Sequence, residues 1–443
     1  MRQATMSSEA RAEITTTEPS SAERHRRGAT SIVLILMMLG VGVRTTRFGA
    51  MGSPSVSEML VILAACLVVA HALLFPNRSI IRIDGALKYF GAFVLWASAS
   101  YFWAYHPEVV AGEVMAVVLK AVTYALIIAC TIDRKHLQHW GHLFILMSLA
   151  FAATAIHEGG AGGPAGFEQA GQALGGWSWI NQLGKWSCLL LPFNIHYIVF
   201  GRSRVIKLLA GLGIAGNLLT VYLISRRAPL LIITLELILF AILFKQYRKT
   251  LLGITLLLVL SLPLLVLSNP GFAERIALTA LEINARLSGQ EFEFGSVRLM
   301  QYQASIAAIK EHYLVGLGLG SLRFWTHEVY GFRIIFWPHS LILQLLGELG
   351  IPGFLLFAGF ILNTINRGLR TQKRLVREER LEEASLITAM ICAAIGLVVY
   401  GQFQPIFTEM HLYLSMSVLS AAAYIYASPA PAEAAEEPAA SAM

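Results

Sequence analysis

The stretch VIKLLAGLGIAGNLLTVYLISRRAPLLIITLELILFAILF, residues 205–244, decides the fold of this chain. It contains two apolar runs, 205–223 and 228–244, joined by a short connection that carries two arginines. A helix needs about 20 apolar residues, and at least about 17, to cross a hydrocarbon core of about 30 Å. The stretch therefore predicts two membrane-spanning helices joined by a tight turn.

Composition extends this pattern to the whole chain. Of its 443 residues, 56% are hydrophobic and 14% are charged, and the mean hydropathy is +0.63. Soluble globular proteins have about 45–50% apolar and about 25% charged residues, so soluble enzymes and secreted modules are excluded. Continuous apolar runs indicate helices, because the strands of a membrane barrel alternate in polarity. The chain is predicted to be an all-α polytopic membrane protein.

Twelve transmembrane helices are predicted from the apolar runs. The first run follows Arg24, Arg26 and Arg27 as in a signal peptide, but no small-residue cleavage site follows it, so it is counted as a span. The predicted spans are 29–43, 56–75, 86–104, 109–130, 140–156, 179–200, 205–223, 228–244, 250–267, 338–362, 384–401 and 410–427.

The positive charges give the orientation of these spans. With the amino terminus inside, the cytoplasmic side carries 20 Lys and Arg residues when counted from Arg24 onward, and the short outer loops carry four. Because Lys and Arg are enriched in cytoplasmic loops, both termini are predicted to be cytoplasmic. The positive charges behind the net charge of +7 lie mainly in the predicted cytoplasmic segments. They are therefore explained by membrane orientation and indicate no nucleic-acid partner.

Three polar segments complete the predicted organisation. Residues 1–28 and 428–443 are too polar to bury a core and are predicted as disordered cytoplasmic tails. Residues 268–337 form a long outer loop between the nine spans of 29–267 and the three of 338–427. Helical periodicity within the loop predicts an amphipathic helix that lies over the bundle. Its apolar face would contain Val297, Met300, Ile306, Ile309 and Tyr313.

No metal or cofactor site is predicted. The four cysteines, Cys66, Cys130, Cys188 and Cys392, lie in apolar runs without metal-ligand spacing. The sequence has no Walker lysine motif, no HExxH and no paired acidic metal motif. The segment VGLGLGSL, 315–322, resembles a dinucleotide-binding loop only superficially, because no strand precedes it, and it predicts a turn.

Arg226 and Arg227 lie at the outer end of a predicted span and break the charge rule that the other loops follow. A guanidinium group donates in one plane to a pair of anionic oxygens and keeps its charge at any accessible pH. The pair is therefore a candidate phosphate site. The alternative is that both side chains only extend to lipid headgroups.

Arg298, near the start of the predicted loop helix, and His339 are two further candidates. Pro338 favours the start of a helix at this point, which leaves His339 at the membrane boundary. A neutral imidazole there could act as a general base. The alternative is a boundary histidine that bonds to a lipid headgroup.

Several charged residues fall inside predicted spans. Intramembrane charges are costly and normally pair, so Lys120 is expected to form a structural ion pair with Glu236 or Glu348 rather than a proton pathway. Lys185, near the outer end of its span, is expected to extend to the headgroups.

Two stretches in the first part of the chain resemble motifs of the O-antigen ligase and O-antigen polymerase superfamily of bacterial envelope glycosyltransferases. The segment WINQLG, 179–184, is similar to the family's Asn-containing span entry through Asn181. Ser225, Arg226 and Ala228 resemble its Ser-Arg-small motif at a helix start.

Two later stretches, in the order of the family, add to this resemblance. Ser296-x-Arg298 followed by LVGLGLGSL resembles the family's Ser-x-x-Arg helix and Gly-x-Gly turn, with the arginine one residue closer to the serine. The last span resembles the family pattern, with Ser340 where the family often has Asn. The matching positions of this span are His339, Leu341, Leu345, Glu348, Gly350 and Gly353.

The resemblance implies a multispan, GT-C-like glycosyltransferase that is metal-independent and inverting. Its donor would be an undecaprenyl-diphosphate-linked glycan at the periplasmic face of the bacterial inner membrane. The acceptor would be lipid A–core for a ligase or a second lipid-linked glycan for a polymerase. The implied residues are His339 as the catalytic base, Arg226, Arg298 and Arg227 for the donor diphosphate, and Asn181, Ser225 and Glu348 in support.

Two other classes remain as alternatives. A twelve-span secondary transporter fits the span count, but transporters often show internal repeats with interrupted helices in both halves, and the sequence shows no such repeat. A structural envelope protein would leave the glycan product unchanged when Arg226 or His339 is replaced.

Overall fold

The fold is all helical. The computed structural model describes residues 35–36, 56–74, 85–160, 178–224, 226–268, 273, 277, 281, 293–331, 337–407 and 409–427, and within them the regular structure consists of helices, as predicted. The α-helices are α1 Val56–Leu74, α2 Gly85–Ala99, α3 Pro107–Cys130, α4 Arg134–Gly160, α5 Ser178–Phe200, α6 Arg204–Ile224, α7 Arg227–Leu243, α8 Arg248–Ser268, α9 Glu293–His312, α10 Leu322–Tyr330, α11 Leu341–Arg377, α12 Leu381–Tyr400 and α13 Met410–Ile425. Short 3-10 helices span Ser100–Trp103 and Lys245–Tyr247.

Several of these helices have the length and composition of membrane spans. In the described part of the chain five qualify, namely α3, α4, α6, α11 and α12, or six if α7 and α8, bent by 111°, count as one broken span. The chain is therefore a polytopic membrane protein. Each predicted span from 56–75 onward overlaps a described helix, whereas 29–43 lies almost wholly outside the described residues. The number twelve stays a prediction.

The core lies around α12 and α13. Helix α12 packs against α5, α7, α11 and α13, and its side chains are buried without interruption from Ala384 to Ala394. An aromatic cluster joins α2, α11 and α13, because the ring of Phe90 stacks on Phe360 at 4.6 Å and on Tyr413 at 5.3 Å. Such pairs contribute about 0.5–1.5 kcal/mol beyond their buried area.

Helix α11 is broken at Gly350, which has a φ of 65°. Pro352, two residues later, lacks the amide hydrogen that would bond to the carbonyl of Glu348 in a regular helix. The amide of Gly318 donates to this carbonyl instead, over 2.8 Å. The break is therefore completed by hydrogen bonds from a distant segment.

That segment is the predicted glycine turn, which lies between the Ser100–Trp103 helix and the break in α11. Gly316, Gly318 and Gly320 have φ values of 75°, 90° and 78°, a region that glycine enters without steric cost. The amide of Leu319 donates to the Ser100 hydroxyl over 3.1 Å on the other side. The turn thus connects α11 to the end of α2.

Helix α9 forms where the loop helix is predicted, but it runs beside the first turns of α11. The Tyr302 hydroxyl donates to the carbonyl of His339 over 3.3 Å, and the Ile351 amide donates to the carbonyl of Tyr313 over 2.9 Å. Tyr302 precedes Tyr313, and His339 precedes Ile351, so the two contacts occur in the same order along both segments. Helix α9 and the start of α11 therefore run in the same direction. Helix α9 therefore packs alongside the start of α11, and its position over the bundle stays a prediction.

The buried face of α9 also differs from the predicted one. Met300, Ile306 and Tyr313, which belong to the predicted apolar face, are 42%, 43% and 50% exposed. Among the side chains of α9 that the structure describes, from Met300 onward, the buried ones are mostly small, and they are Gln301, Ala304, Ser305 and Ala308. Val297 of the predicted face lies outside the described side chains. Small residues let neighbouring helices approach closely in membrane proteins, so the contact face does not coincide with the most apolar one.

Candidate functional site

His339 lies in the short segment before α11, and its backbone is held from both sides. The Tyr302 hydroxyl of α9 binds its carbonyl. The next residue, Ser340, caps α11 by accepting the Leu343 amide at 3.4 Å, and its hydroxyl donates to the Gln402 side chain over 3.1 Å. Two separate elements therefore fix the position from which the His339 imidazole extends.

Arg226 lies at the turn between α6 and α7. It is the N-cap residue of α7 with an extended backbone and is half-buried, whereas Arg227, the first helical residue, is exposed. A methyl group on Gly184 of α5 would come within 2.7 Å of the Pro229 side chain and 3.2 Å of the Tyr400 hydroxyl. The start of α5, the α6–α7 turn and the end of α12 therefore meet at one place.

The end of α12 connects Arg226 with His339. Arg226 lies within electrostatic range of the Tyr400 hydroxyl, at the last residue of α12. The carbonyl of Gly401, the next residue, accepts the Leu341 amide over 2.8 Å. Two of the predicted site residues thus border the same helix end, although more than a hundred residues separate them in the sequence.

A buried ion pair at this end of the bundle was not predicted. The Lys185 ammonium lies 3.0 Å from a carboxylate oxygen of Glu409, which also accepts the Gln182 amide over 2.7 Å. The Lys185 side chain is only 4% exposed, so the expectation that it extends to the headgroups is wrong. Both partners lie near span ends far apart in the sequence, and no local pattern connects them.

Glu348 and Lys120 do not form the predicted ion pair. The buried Glu348 carboxylate accepts the Gln344 amide over 3.4 Å, and the Glu348 backbone carbonyl accepts the Gly318 amide over 2.8 Å. Lys120 lies instead within electrostatic range of Glu113, two turns earlier on α3. Both oxygens of the buried Glu236 accept no hydrogen bond from the described residues. Glu348 therefore holds the glycine turn against α11 rather than balancing a lysine.

A charged cluster attaches α10 to the segment before α3. His106 lies between Glu108 and Glu328, with ring nitrogens 2.5 and 3.0 Å from their oxygens. Partial burial opposes the charged imidazole, but the hydrogen bonds to the two carboxylates outweigh it, so the pKa of His106 is raised above 6.5. The Tyr105 hydroxyl donates to Glu328 over 2.7 Å, and this bond, with that from His106, lowers the pKa of Glu328 below 4.5.

Three predicted site residues are only partly described or lie outside the described part. The backbone of Arg298 lies in α9, four residues before Tyr302, and that of Asn181 lies in the first turn of α5, but neither side chain is described. Ser225 lies outside the described residues. Across the described ranges, no three His, Cys, Asp or Glu side chains lie close enough to share a metal ion.

A cavity of about 150 Å³ lies at the opposite end of the bundle, at the start of α12. Its charged lining includes Arg134, which pairs with Glu383 at 3.2 Å, and Arg202, which pairs with Glu382 at 3.6 Å. This cavity is not part of the site around His339.

Comparison with known proteins gives one family match. Residues 211–358 match the family model described as O-Antigen ligase. The matched range contains Arg226, Arg298, His339 and Glu348, and it confirms the resemblance to the O-antigen ligase and polymerase superfamily. A search of curated proteins gives no match.

Proposed function

With an O-antigen ligase domain at residues 211–358 as the premise, we propose that the protein transfers a glycan from an undecaprenyl-diphosphate-linked donor to an acceptor hydroxyl. The acceptor we propose is lipid A–core, and the reaction takes place at the periplasmic face of the bacterial inner membrane. This orientation follows from the excess of Lys and Arg in the predicted cytoplasmic segments, with both termini cytoplasmic.

The position of Arg226 and of His339, each beside the end of α12, supports this proposal. An amphiphilic donor with a membrane-buried tail needs cations near the membrane surface and a base close to the bond that changes. Arg226 lies within electrostatic range of Tyr400, the last residue of α12. His339 lies two residues before Leu341, whose amide donates to the carbonyl of Gly401 directly after α12. A transporter would more commonly hold its essential charges at mid-membrane depth.

In the proposed reaction the acceptor oxygen attacks the anomeric carbon while the bond from this carbon to the diphosphate oxygen breaks. The His339 imidazole takes the proton of the acceptor hydroxyl. The diphosphate leaves as an anion whose charge Arg226 and Arg298 stabilise, with Arg227 as a weaker contributor. A single displacement of this kind inverts the configuration at the anomeric carbon.

The remaining predicted residues support this site. Glu348 holds the glycine turn through its backbone carbonyl, which accepts the Gly318 amide, and we propose that Ser225 and Asn181 orient the arginine turn and the start of α5. Arginines can neutralise a departing diphosphate without a metal ion, so we propose a metal-independent reaction.

The experiment that tests the proposed function is a transfer assay with purified protein, lipid-linked donor and either lipid A–core or a second lipid-linked glycan. Product on lipid A–core, retained in excess EDTA, supports the ligase. Product on the lipid-linked glycan alone would identify a polymerase. Transfer that disappears with EDTA and returns with magnesium would contradict the metal-independent mechanism, and no transfer to either acceptor would contradict the proposed function.

A further inference from the structure

Arg323, the second residue of α10, lies beside the proposed site but belongs to none of the motifs that predict it. Its guanidinium Nη2 lies 3.0 Å from a carboxylate oxygen of Glu113 on α3. Both side chains are largely buried, at 18% and 17% exposed. A charge-assisted hydrogen bond in such surroundings is stronger and shorter than one in water, so the pair fixes where the guanidinium plane lies.

The same guanidinium also lies over aromatic rings, those of Phe324 at 5.0 Å and of Trp337. The central carbon of the Arg323 guanidinium lies 3.8 Å from the centroid of the Trp337 ring. Tryptophan is the best partner for a cation stacked on its face, and 3.8 Å is direct contact. Trp337 is followed by Pro338, and Pro338 by His339, so a rigid proline lies between the stacked ring and the proposed base.

The contacts on the other side of His339 make the arrangement complete. Tyr302 holds the His339 carbonyl, and Gln402 holds the Ser340 hydroxyl. The Arg323–Trp337 contact holds the chain before His339, whereas the other two contacts hold it at and after His339. The three contacts come from α10, α9 and the end of α12, so each restricts a different direction of movement.

The charge of Arg323 favours a structural part in this arrangement over phosphate binding. Glu113 already neutralises the guanidinium, and the Glu348 carboxylate is also within its electrostatic range. A bound phosphate would have to compete with a carboxylate and displace a tryptophan ring from the same group.

We infer that Arg323 is a positioning residue that, held by Glu113, fixes the Trp337–His339 segment and thereby the His339 imidazole at the reacting hydroxyl. The inference rests on the proposed function, because it assigns Arg323 to the base of that reaction. Misplacement of a reacting group by about 1 Å can cost about 10²-fold in rate, so the contact has a measurable consequence.

The test compares Arg323→Ala, Arg323→Lys and Trp337→Leu in the purified full-length protein, measuring kcat, the KM for donor and thermal unfolding. We expect Arg323→Ala to lower kcat by about 10- to 100-fold, with the donor KM changed by less than about twofold because the phosphate contacts remain. Arg323→Lys should recover part of kcat, since a lysine can pair with Glu113 but stacks less well. The Arg323→Ala and Trp337→Leu effects should not add in the double variant.

A matched control is Arg134→Ala at the opposite end of the bundle. Arg134 also pairs with a glutamate, Glu383, and lies over an aromatic ring, that of Tyr426, at 5.4 Å. Its loss removes the same kinds of contact far from the site and should leave kcat unchanged.

The His339→Ala background separates this inference from the proposed function. If Arg323 acts through His339, adding Arg323→Ala to His339→Ala produces no further loss of the residual rate. An inactive His339→Ala protein with a fully active Arg323→Ala protein would overturn the inference alone. A fully active His339→Ala protein would overturn the proposed base itself. If Arg323→Ala raises the donor KM as much as it lowers kcat, or adds its full effect in the His339→Ala background, the positioning role is wrong.

Discussion

The hydroxyl of Tyr302 donates a hydrogen bond to the backbone carbonyl of His339 over 3.3 Å. This contact joins α9 to the start of α11. Arg298 precedes Tyr302 by four residues, which is about one helical turn, or about 6 Å along the axis. The proposed phosphate ligand therefore lies one turn before the residue of α9 that contacts the proposed base, which directly precedes α11.

Tyr302→Phe removes this hydrogen bond and keeps the ring. We expect transfer to fall by about 2- to 10-fold, because a hydrogen bond of this kind contributes about 0.5–1.5 kcal/mol. Tyr313→Phe, on an exposed residue just after the same helix, is the control and should change little. Both are measured as initial rates under saturating donor. Equal rates for Tyr302→Phe and the unmodified protein would mean that the bond does not position His339.

Gly350→Ala should destabilise the break in α11. A side chain at a φ of 65° and a ψ of −169° lies in a region that is essentially restricted to glycine and costs about 1–3 kcal/mol, and the added methyl group would lie 2.4 Å from the carbonyl oxygen of Leu314. Gly331→Ala is the control, since its φ is 67° but no atom lies within 4 Å of the new methyl group. Thermal unfolding in detergent measures both. A Gly350→Ala protein no less stable than Gly331→Ala would show that the glycine turn does not press on the break.

The long loop shows how far the sequence predicts this structure. Hydrophobic periodicity predicts that a helix forms near 296–313, and α9 does. It does not predict the packing face, because the described side chains of α9 that are buried are mainly alanine and serine, whereas Met300 and Ile306 are exposed. In a membrane, burying apolar surface against another helix gains little over lipid, and close packing of small residues decides the contact.

For the candidate site, the sequence predicts local motifs but not the contacts between distant residues. The motif order identifies Arg226 and His339, which adjoin one helix end, because each motif is local in sequence. Contacts such as Lys185 with Glu409 join residues more than 200 positions apart, and a single sequence carries no signal of such pairs. For the same reason the sequence predicts that Lys120 pairs with Glu236 or Glu348, whereas the structure places it within electrostatic range of Glu113.

Lys185→Met should be strongly destabilising, because it leaves the Glu409 carboxylate without its cation. Removing one partner of a buried ion pair costs about 3–5 kcal/mol of the free energy of unfolding. Because the Glu409 side chain is 17% exposed, we expect a cost near the lower end of this range. The double variant Lys185→Met with Glu409→Gln removes both charges and should recover much of the loss. Chemical denaturation of the three proteins checks this, and equal stabilities of the single and double variants would contradict it.

The His106 cluster predicts a pH window for the attachment of α10. The pKa of His106 is raised, so its stabilising contribution is complete below 6.5 and is lost as pH rises through the higher folded-state value. The pKa of Glu328 is lowered, so its contribution is present above 4.5 and is lost as pH falls through the lower folded-state value. His106→Gln should therefore reduce the thermal stability more at pH 6 than at pH 9. The opposite order, or no difference between the two pH values, would show that the protonated imidazole does not hold α10.

The most direct test of the account is to measure donor binding and transfer rate on one preparation of His339→Ala in nanodiscs, beside Arg226→Ala. A general base contributes about 10²–10⁴-fold to the rate, so His339→Ala should lose transfer by that factor and still bind the lipid-linked donor normally. Arg226→Ala should weaken donor binding and should reduce transfer by about 10²-fold. A His339→Ala protein that transfers glycan at the normal rate, or that loses donor binding together with transfer, would contradict the assignment of His339 as the base.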